Sequence, residues 1–195
     1  SRGRVVAYGD AVSRGDLTGV PLNGPILGAI ATPSGLGYYL VASDGGIFSF
    51  GDAVFHGSMG GKALNAPVRG LVPTRSGAGY WLVASDGGVF AFGDAGFYGS
   101  AASSGKHYVD MAVTSSGKGY LLAADDGTVK GFGDAAALEA MQLPATQLTA
   151  PVANVEIHGD DKGYWLLSAN GGLFNMTLPT GGATWTASPS TLGPF

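Results

Sequence analysis

The chain has 195 residues, 45% of them hydrophobic and only 12% charged, with a formal net charge of −4. No stretch approaches the ~18 consecutive apolar residues of a membrane-spanning helix, so no membrane insertion is expected, and the acidic balance argues against a nucleic-acid partner, which demands a basic face. Glycine (35) and proline (10) are abundant, but disorder requires few apolar residues and a high charge, and neither holds here. With no cysteine there is no disulfide framework, thiolate zinc site or cysteine nucleophile. The chain opens on Ser1, the start expected of a processed chain from which a signal peptide would have been removed.

Residues 5–11 (VVAYGDA) come first and read as a strand ending in a Gly-Asp turn. That ending returns: Gly-Asp-Ala begins at 9, 51, 93 and 133, and Gly-Tyr begins at 37, 79, 119 and 163. Steps of 40 to 44 residues define a repeat that covers nearly the whole chain. The units run at about 26–67, 68–108, 109–151 and 152–177, with a fragment at 5–19 before them and a tail at 178–195 after them. Together they read as one domain over 1–195.

In the second unit the spacing predicts strands at 68–74, 80–85, 89–92 and 96–99. Asp86-Gly87 between apolar runs is a hairpin signal, because glycine accepts the positive φ the turn requires. The third unit differs at 135–141 (AAALEAM), where a helical turn replaces the fourth strand. Along the second strand, Tyr80, Leu82 and Ala84 point one way and Trp81 and Val83 the other. A sheet apolar on both faces needs cover on both sides. Four-stranded antiparallel units of this length, stacked in a ring, make an all-β propeller, with four blades favoured and five as the alternative. The N- and C-terminal strands would share the closing blade. One copy of the third strand is then surplus, because it starts five times, at Val5, Ile47, Val89, Val129 and Leu173.

The segment GYWLVASDGGVFAFGDAGFYGS (79–100) resembles the tandem repeat of actinobacterial secreted and cell-surface proteins, whose copies often sit beside wall hydrolases and other exported enzymes. The resemblance covers roughly residues 5–176 and implies a secreted or cell-surface location. Hemopexin-like domains and tachylectin-like lectins are similar only in architecture, and fold alone does not give function.

Seven aspartates (Asp10, Asp44, Asp52, Asp86, Asp94, Asp126, Asp134) hold repeated turn positions. An Asx turn accounts for each. Calcium wants about six to eight oxygens, and one carboxylate beside two glycines supplies too few, so no metal and no cofactor is expected. The other carboxylates are Asp16, Asp110, Asp125, Glu139, Glu156, Asp160 and Asp161. A catalytic pair would break the repeat and be found among them. Glu156, His158, Asp160 and Asp161 crowd the last unit, but Asp160-Asp161-Lys162-Gly163 aligns with the Ser-Gly turns of earlier units and reads as a solvated turn. His56 and His107 have no matching partner. No Gly-x-Ser-x-Gly elbow is present, and Ser-Gly-Lys at 104–106 and 116–118 lacks phosphate-loop spacing. No catalytic residue is expected.

Tyr38, Tyr80, Tyr120 and Tyr164 recur once per unit, followed by Tyr39, Trp81, Leu121 and Trp165. Such rings serve either as core between blades or as stacking platforms for sugars. The expected ligand-binding set is Tyr39, Trp81 and Trp165 for stacking, Asp44 and Asp86 for hydroxyls, and Tyr98 and Tyr108 from less regular segments, where Phe97 and Trp185 also lie. Lys130 stands at the Phe90 position, so one unit departs from the pattern. The function expected is a non-catalytic extracellular module that binds polysaccharide or cell-wall glycan through sites repeated on the blades, gaining avidity from weak sites on a rigid ring. The alternatives are a structural or interaction module that binds another surface protein, and a propeller hydrolase, for which the first strands offer only Asp110, Glu156 and His158.

Overall fold

A computed structural model describes residues 3–177; the expected tail at 178–195, with Trp185, lies outside the described residues. Each repeat folds into one antiparallel sheet of three strands joined in chain order. The first sheet is β1 (Ile26–Ala31), β2 (Tyr38–Ala42) and β3 (Ile47–Phe50). The second is β4 (Val68–Pro73), β5 (Gly79–Ala84) and β6 (Val89–Gly93). The third is β7 (Tyr108–Val113), β8 (Gly119–Ala124) and β9 (Val129–Gly133), and the fourth is β10 (Val152–Ile157), β11 (Gly163–Ser168) and β12 (Leu173–Thr177). The Asp-Gly hairpins form as their chemistry dictates: Gly45 takes φ +79°, and Asp44 Oδ1 accepts the Gly46 N–H at 3.0 Å. Among the described residues no helix is long and apolar enough to cross a membrane.

Three expectations are corrected. The fourth strand at 96–99 does not form, and among the described residues each sheet has three strands. The reason is tertiary. Gly99, at φ +142°, lies on the Phe132 ring, and its carbonyl accepts the Tyr120 hydroxyl at 2.6 Å. The connector therefore crosses a sheet face instead of pairing along an edge. Residues 5–11 form no strand either. Finally, the expected sharing of the last sheet by N- and C-terminal strands is not seen among the described residues, where that sheet consists of β10, β11 and β12 from one repeat. The helical turn expected at 135–141 is present as a short 3-10 helix, Ala136–Ala140.

The chain forms two compact units: residues up to 84 with 90–95, and residues 85–89 with those from 96 onward. In the first unit, Tyr39, Val41 and Ile47 of the first sheet meet Leu71, Tyr80 and Leu82 of the second. The opposite face of the first sheet, with Ile26, Leu40 and Ala42, is covered by Leu17, Val5 and Leu22 from the N-terminal segment. In the second unit, Leu121, Ala123 and Val129 pack with Val155, Tyr164 and Leu166, and Leu138 and Met141 of the 3-10 segment join the same core. Both cores are built from adjacent sheets face to face, as strands apolar on both faces require.

A second device recurs within each of the first three sheets. The aspartate that ends the third strand reaches back to the turn between the first two strands. Asp52 accepts from Thr32 (2.9 Å) and Ser34 (2.5 Å). Asp94 accepts from Thr74 (2.8 Å) and Ser76 (2.5 Å), and Asp134 from Thr114 (2.8 Å) and Ser116 (2.5 Å). The serine and then the threonine hydroxyl hold the Asp52 and Asp94 carboxyls below their ordinary value, since bonds to the charged form favour it.

Candidate functional site

Six of the seven repeated aspartates are taken up by backbone and hydroxyl groups; Asp10 is exposed. Besides the three just described, Asp44, Asp86 and Asp126 each accept a backbone N–H two residues on, from Gly46, Gly88 and Thr128. Among the described residues, no group of three or more His, Asp or Glu is placed to hold a metal ion.

The aromatic set divides sharply. Tyr39, Trp81 and Tyr108 are buried, at 1%, 2% and 1% exposure, and they pack the core. Tyr98 is on the surface, its hydroxyl donating to Gly117 O at 3.3 Å. Trp165 is 38% exposed. Its position is the one that Tyr39, Trp81 and Leu121 fill in earlier repeats, where the ring or side chain is covered.

The surroundings of Trp165 differ from theirs in kind. Across the strands, Tyr39 is flanked by Ile30 and Ser49, and Leu121 by Ala112 and Gly131. Trp165 is flanked by Glu156 on β10 and Asn175 on β12. The next row is Asn154, Leu167 and Leu173. Glu156, Trp165, Leu167, Leu173 and Asn175 are all exposed. The fourth sheet thus shows solvent an indole between a carboxylate and an amide, with an aliphatic pair beside it.

The indole is held from one side. The His158 ring packs against it, with centroids 4.0 Å apart and planes at 49°. His158 stands where Thr32, Thr74 and Thr114 stand in the other repeats, and its Nε2 is buried with no hydrogen-bond partner among the described residues. Two residues on, Asp160 accepts the Lys162 N–H at 3.0 Å. Asp161 takes the position of the positive-φ glycine at φ +57° and accepts from the Ser115 N–H at 2.9 Å. The acidic cluster read from sequence is therefore not one site: Glu156 faces out, His158 braces Trp165, and the two aspartates organise turns.

Behind this face, Asp110 on β7 accepts from Asn154 Nδ2 (2.6 Å) and the Val155 N–H (3.0 Å). Burial pushes its carboxyl above the ordinary value, and nearby Glu156 adds to the rise. The remaining polar candidates are locally paired. His107 Nδ1 lies 3.2 Å from Asp125, Lys106 2.6 Å from Asp126, and Lys130 2.6 Å from Glu139. His56 Nε2 lies 3.4 Å from Gly77 O.

The first compact unit carries a cleft of about 300 Å³, lined by Asn23, Asp44, Phe48, Phe55 and Ser58 among others. Asp44, one of the expected turn residues, thus opens onto a cleft. The sequence reading missed the Glu156–Trp165–Asn175 row. Its only linear signal is that Glu156 and Asn175 replace small or apolar residues at their repeat positions, and cross-strand register is needed to bring them to Trp165.

Compared with known proteins, the chain matches no family model and no curated protein.

Proposed function

We propose that this chain is a non-catalytic extracellular or cell-surface module that binds carbohydrate, its four sheets being blades of a β-propeller in which connectors take the place of fourth strands. The observation that carries the reading is the exposed Trp165 set between Glu156 and Asn175. A sugar ring offers an apolar C–H face to an aromatic ring and hydroxyls at its edge to carboxylate and amide groups. The row supplies both kinds of group in one line. The reading centres on one platform, since Tyr39 and Trp81 are core residues.

Size favours a slender ligand over a protein. Three strands ~4.8 Å apart and about five residues long, at ~3.4 Å each, span roughly 10 by 17 Å. That is a fraction of the ~800 Å² per partner that a stable protein interface buries. Cell-wall glycan and other polysaccharides are the ligands to test.

Trp165→Ala is expected to weaken polysaccharide binding by roughly tenfold to a hundredfold, the range of ~1–3 kcal/mol for one lost stacking contact. Asn175→Ala is expected to weaken it less. Glycan-array and pull-down measurements with the native chain provide the test. No signal at millimolar sugar, or binding that Trp165→Ala leaves intact, would reject the proposal.

A further inference from the structure

Residues 3–11 copy the end of a third strand in backbone as well as in sequence. Gly3 has φ +70°, against +79° and +86° at the equivalent Gly45 and Gly87. The Leu17 N–H donates to Gly3 O at 3.0 Å, just as Met59 donates to Gly45 O (3.0 Å) and Ala101 to Gly87 O (2.9 Å). Gly9 has φ +66°, matching Gly51 at +69° and Gly93 at +66°. The Ala11 N–H donates to Tyr8 O at 3.3 Å, matching Ala53 to Phe50 O at 3.4 Å and Ala95 to Phe92 O at 3.3 Å. Yet among the described residues no strand pairs with this segment.

Three consecutive positions show what a pairing strand does elsewhere. The first is Tyr8. Its equivalent Phe50 lies opposite Tyr38 in register and stacks on it, with centroids 5.3 Å apart and planes at 27°. Phe92 and Phe132 likewise lie against Tyr80 and Tyr120. Tyr8 itself is 81% exposed. The second is Gly9. A Cβ on the equivalent Gly51 would strike the Leu36 carbonyl and Gly37 Cα of the adjoining strand, whereas one on Gly9 would meet nothing within 4 Å. The third is Asp10. Its equivalents Asp52, Asp94 and Asp134 each bind a threonine and a serine of the first turn, whereas Asp10 is exposed.

In the three repeats that carry a Phe-Gly-Asp triplet, its partner reads Thr-x-Ser-Gly-x-Gly-Tyr, at 32–38, 74–80 and 114–120. We propose that residues 5–10 are an acceptor edge for a first-and-second-strand pair of the same repeat type, bearing Thr-x-Ser-Gly-x-Gly-Tyr. The incoming strand hydrogen-bonds to the backbone of residues 5–8, its tyrosine stacks on Tyr8, its glycine lies against Gly9, and its threonine and serine hydroxyls donate to Asp10. Backbone pairing supplies affinity and these three side-chain positions supply selectivity, the division found when strands are added to a sheet edge. Val5 already packs with the core of the first sheet, so the acceptor is held in place before the partner arrives. The inference does not depend on the glycan reading.

The probe is a fluorescein-labelled peptide with the sequence of residues 68–85, titrated against the full chain by fluorescence anisotropy, with hydrogen exchange read at the Val6 and Tyr8 amides, since the Val5 N–H is directed at Asp16 and alternate amides of a strand face opposite edges. Saturable one-to-one binding is expected, with slowed exchange at those amides. Asp10→Ala should weaken binding by about tenfold, as loss of charge-assisted bonds does. Val6→Pro, which removes a ladder donor, should weaken it at least as much. Both residues are exposed, so thermal unfolding of both variants should match the native chain. A peptide with serine and threonine replaced by alanine and valine should bind like Asp10→Ala. No saturable binding at millimolar peptide, equal binding of a scrambled peptide, or binding indifferent to Asp10→Ala and Val6→Pro would overturn the proposal.

Discussion

Gly93→Ala is expected to lower the thermal midpoint by roughly 6–12 °C, the consequence of losing about 3 kcal/mol in a chain of this size. Two costs combine. Gly93 sits at φ +66°, where a side chain costs ~1–2 kcal/mol. A Cβ there would also strike the Ala78 carbonyl oxygen and come within 2.7 Å of Gly79 Cα. These are backbone atoms that cannot swing aside, and overpacking of this kind costs ~1–3 kcal/mol. The two glycines cross where the third strand ends over the start of the second, and that close approach lets Asp94 reach Thr74 and Ser76. Gly28→Ala is the control. It lies in β1 with nothing within 4 Å of a built Cβ, and its midpoint should be unchanged or slightly raised, since glycine weakens a strand. Equal midpoints for the two variants in a calorimetric scan would refute the crossing as the reason for glycine. The fourth repeat supports it from the other side. There Thr177 pairs with Gly163, it is not among the positive-φ residues, and the Thr-Ser-Asp link is replaced by His158 packed on Trp165.

The strands were legible because their signals are local. Alternating apolar residues between Asp-Gly turns place the second strand at 80–85, against Gly79–Ala84 in the structure. The fourth strand was misread because Gly96–Gly99 (GFYG) carries strand-like aromatic residues whose task depends on partners far along the chain. Only the fold shows that the Tyr98 N–H and Gly99 O both meet the Tyr120 hydroxyl. The aspartate turns were legible in type but not in reach. Asp44 and Asp86 bond two residues away, as an Asx turn does, whereas Asp52 and Asp94 bond hydroxyls 18 and 20 residues upstream. Trp165 could be singled out from the sequence, but not as different from Tyr39 and Trp81. The difference lies in Glu156 and Asn175, which only strand register sets beside it.

Tyr80→Ala should cost about 4 kcal/mol, near the upper end for a buried aromatic truncation, and Tyr80→Phe about 2 kcal/mol. Tyr80 is fully buried, between Tyr39, Phe92 and His56, at centroid distances of 5.2, 5.7 and 5.7 Å. Alanine there opens a cavity among rings that cannot collapse onto it. The phenol also ties the connector down, donating to Gly57 O at 2.5 Å and accepting the His56 N–H at 3.1 Å. Phenylalanine keeps the packing but leaves a carbonyl and an amide without that partner, so the two variants separate packing from anchoring. The anchor recurs in the other sheets, with Tyr38 donating to Gly15 O, Tyr120 to Gly99 O and Tyr164 to Met141 O. Burial pushes the phenols of Tyr39, Tyr80, Tyr120 and Tyr164 above their ordinary value. The folded chain therefore holds those protons more tightly than the unfolded chain. The stability this contributes is fully present below the unfolded phenol value of about 10 and is lost as pH rises through the folded values. Urea midpoints should accordingly be flat with respect to these groups at neutral pH and fall above roughly pH 10, less steeply in Tyr80→Phe. A Tyr80→Phe midpoint equal to the native one at pH 7 would show that the connector is held by packing alone.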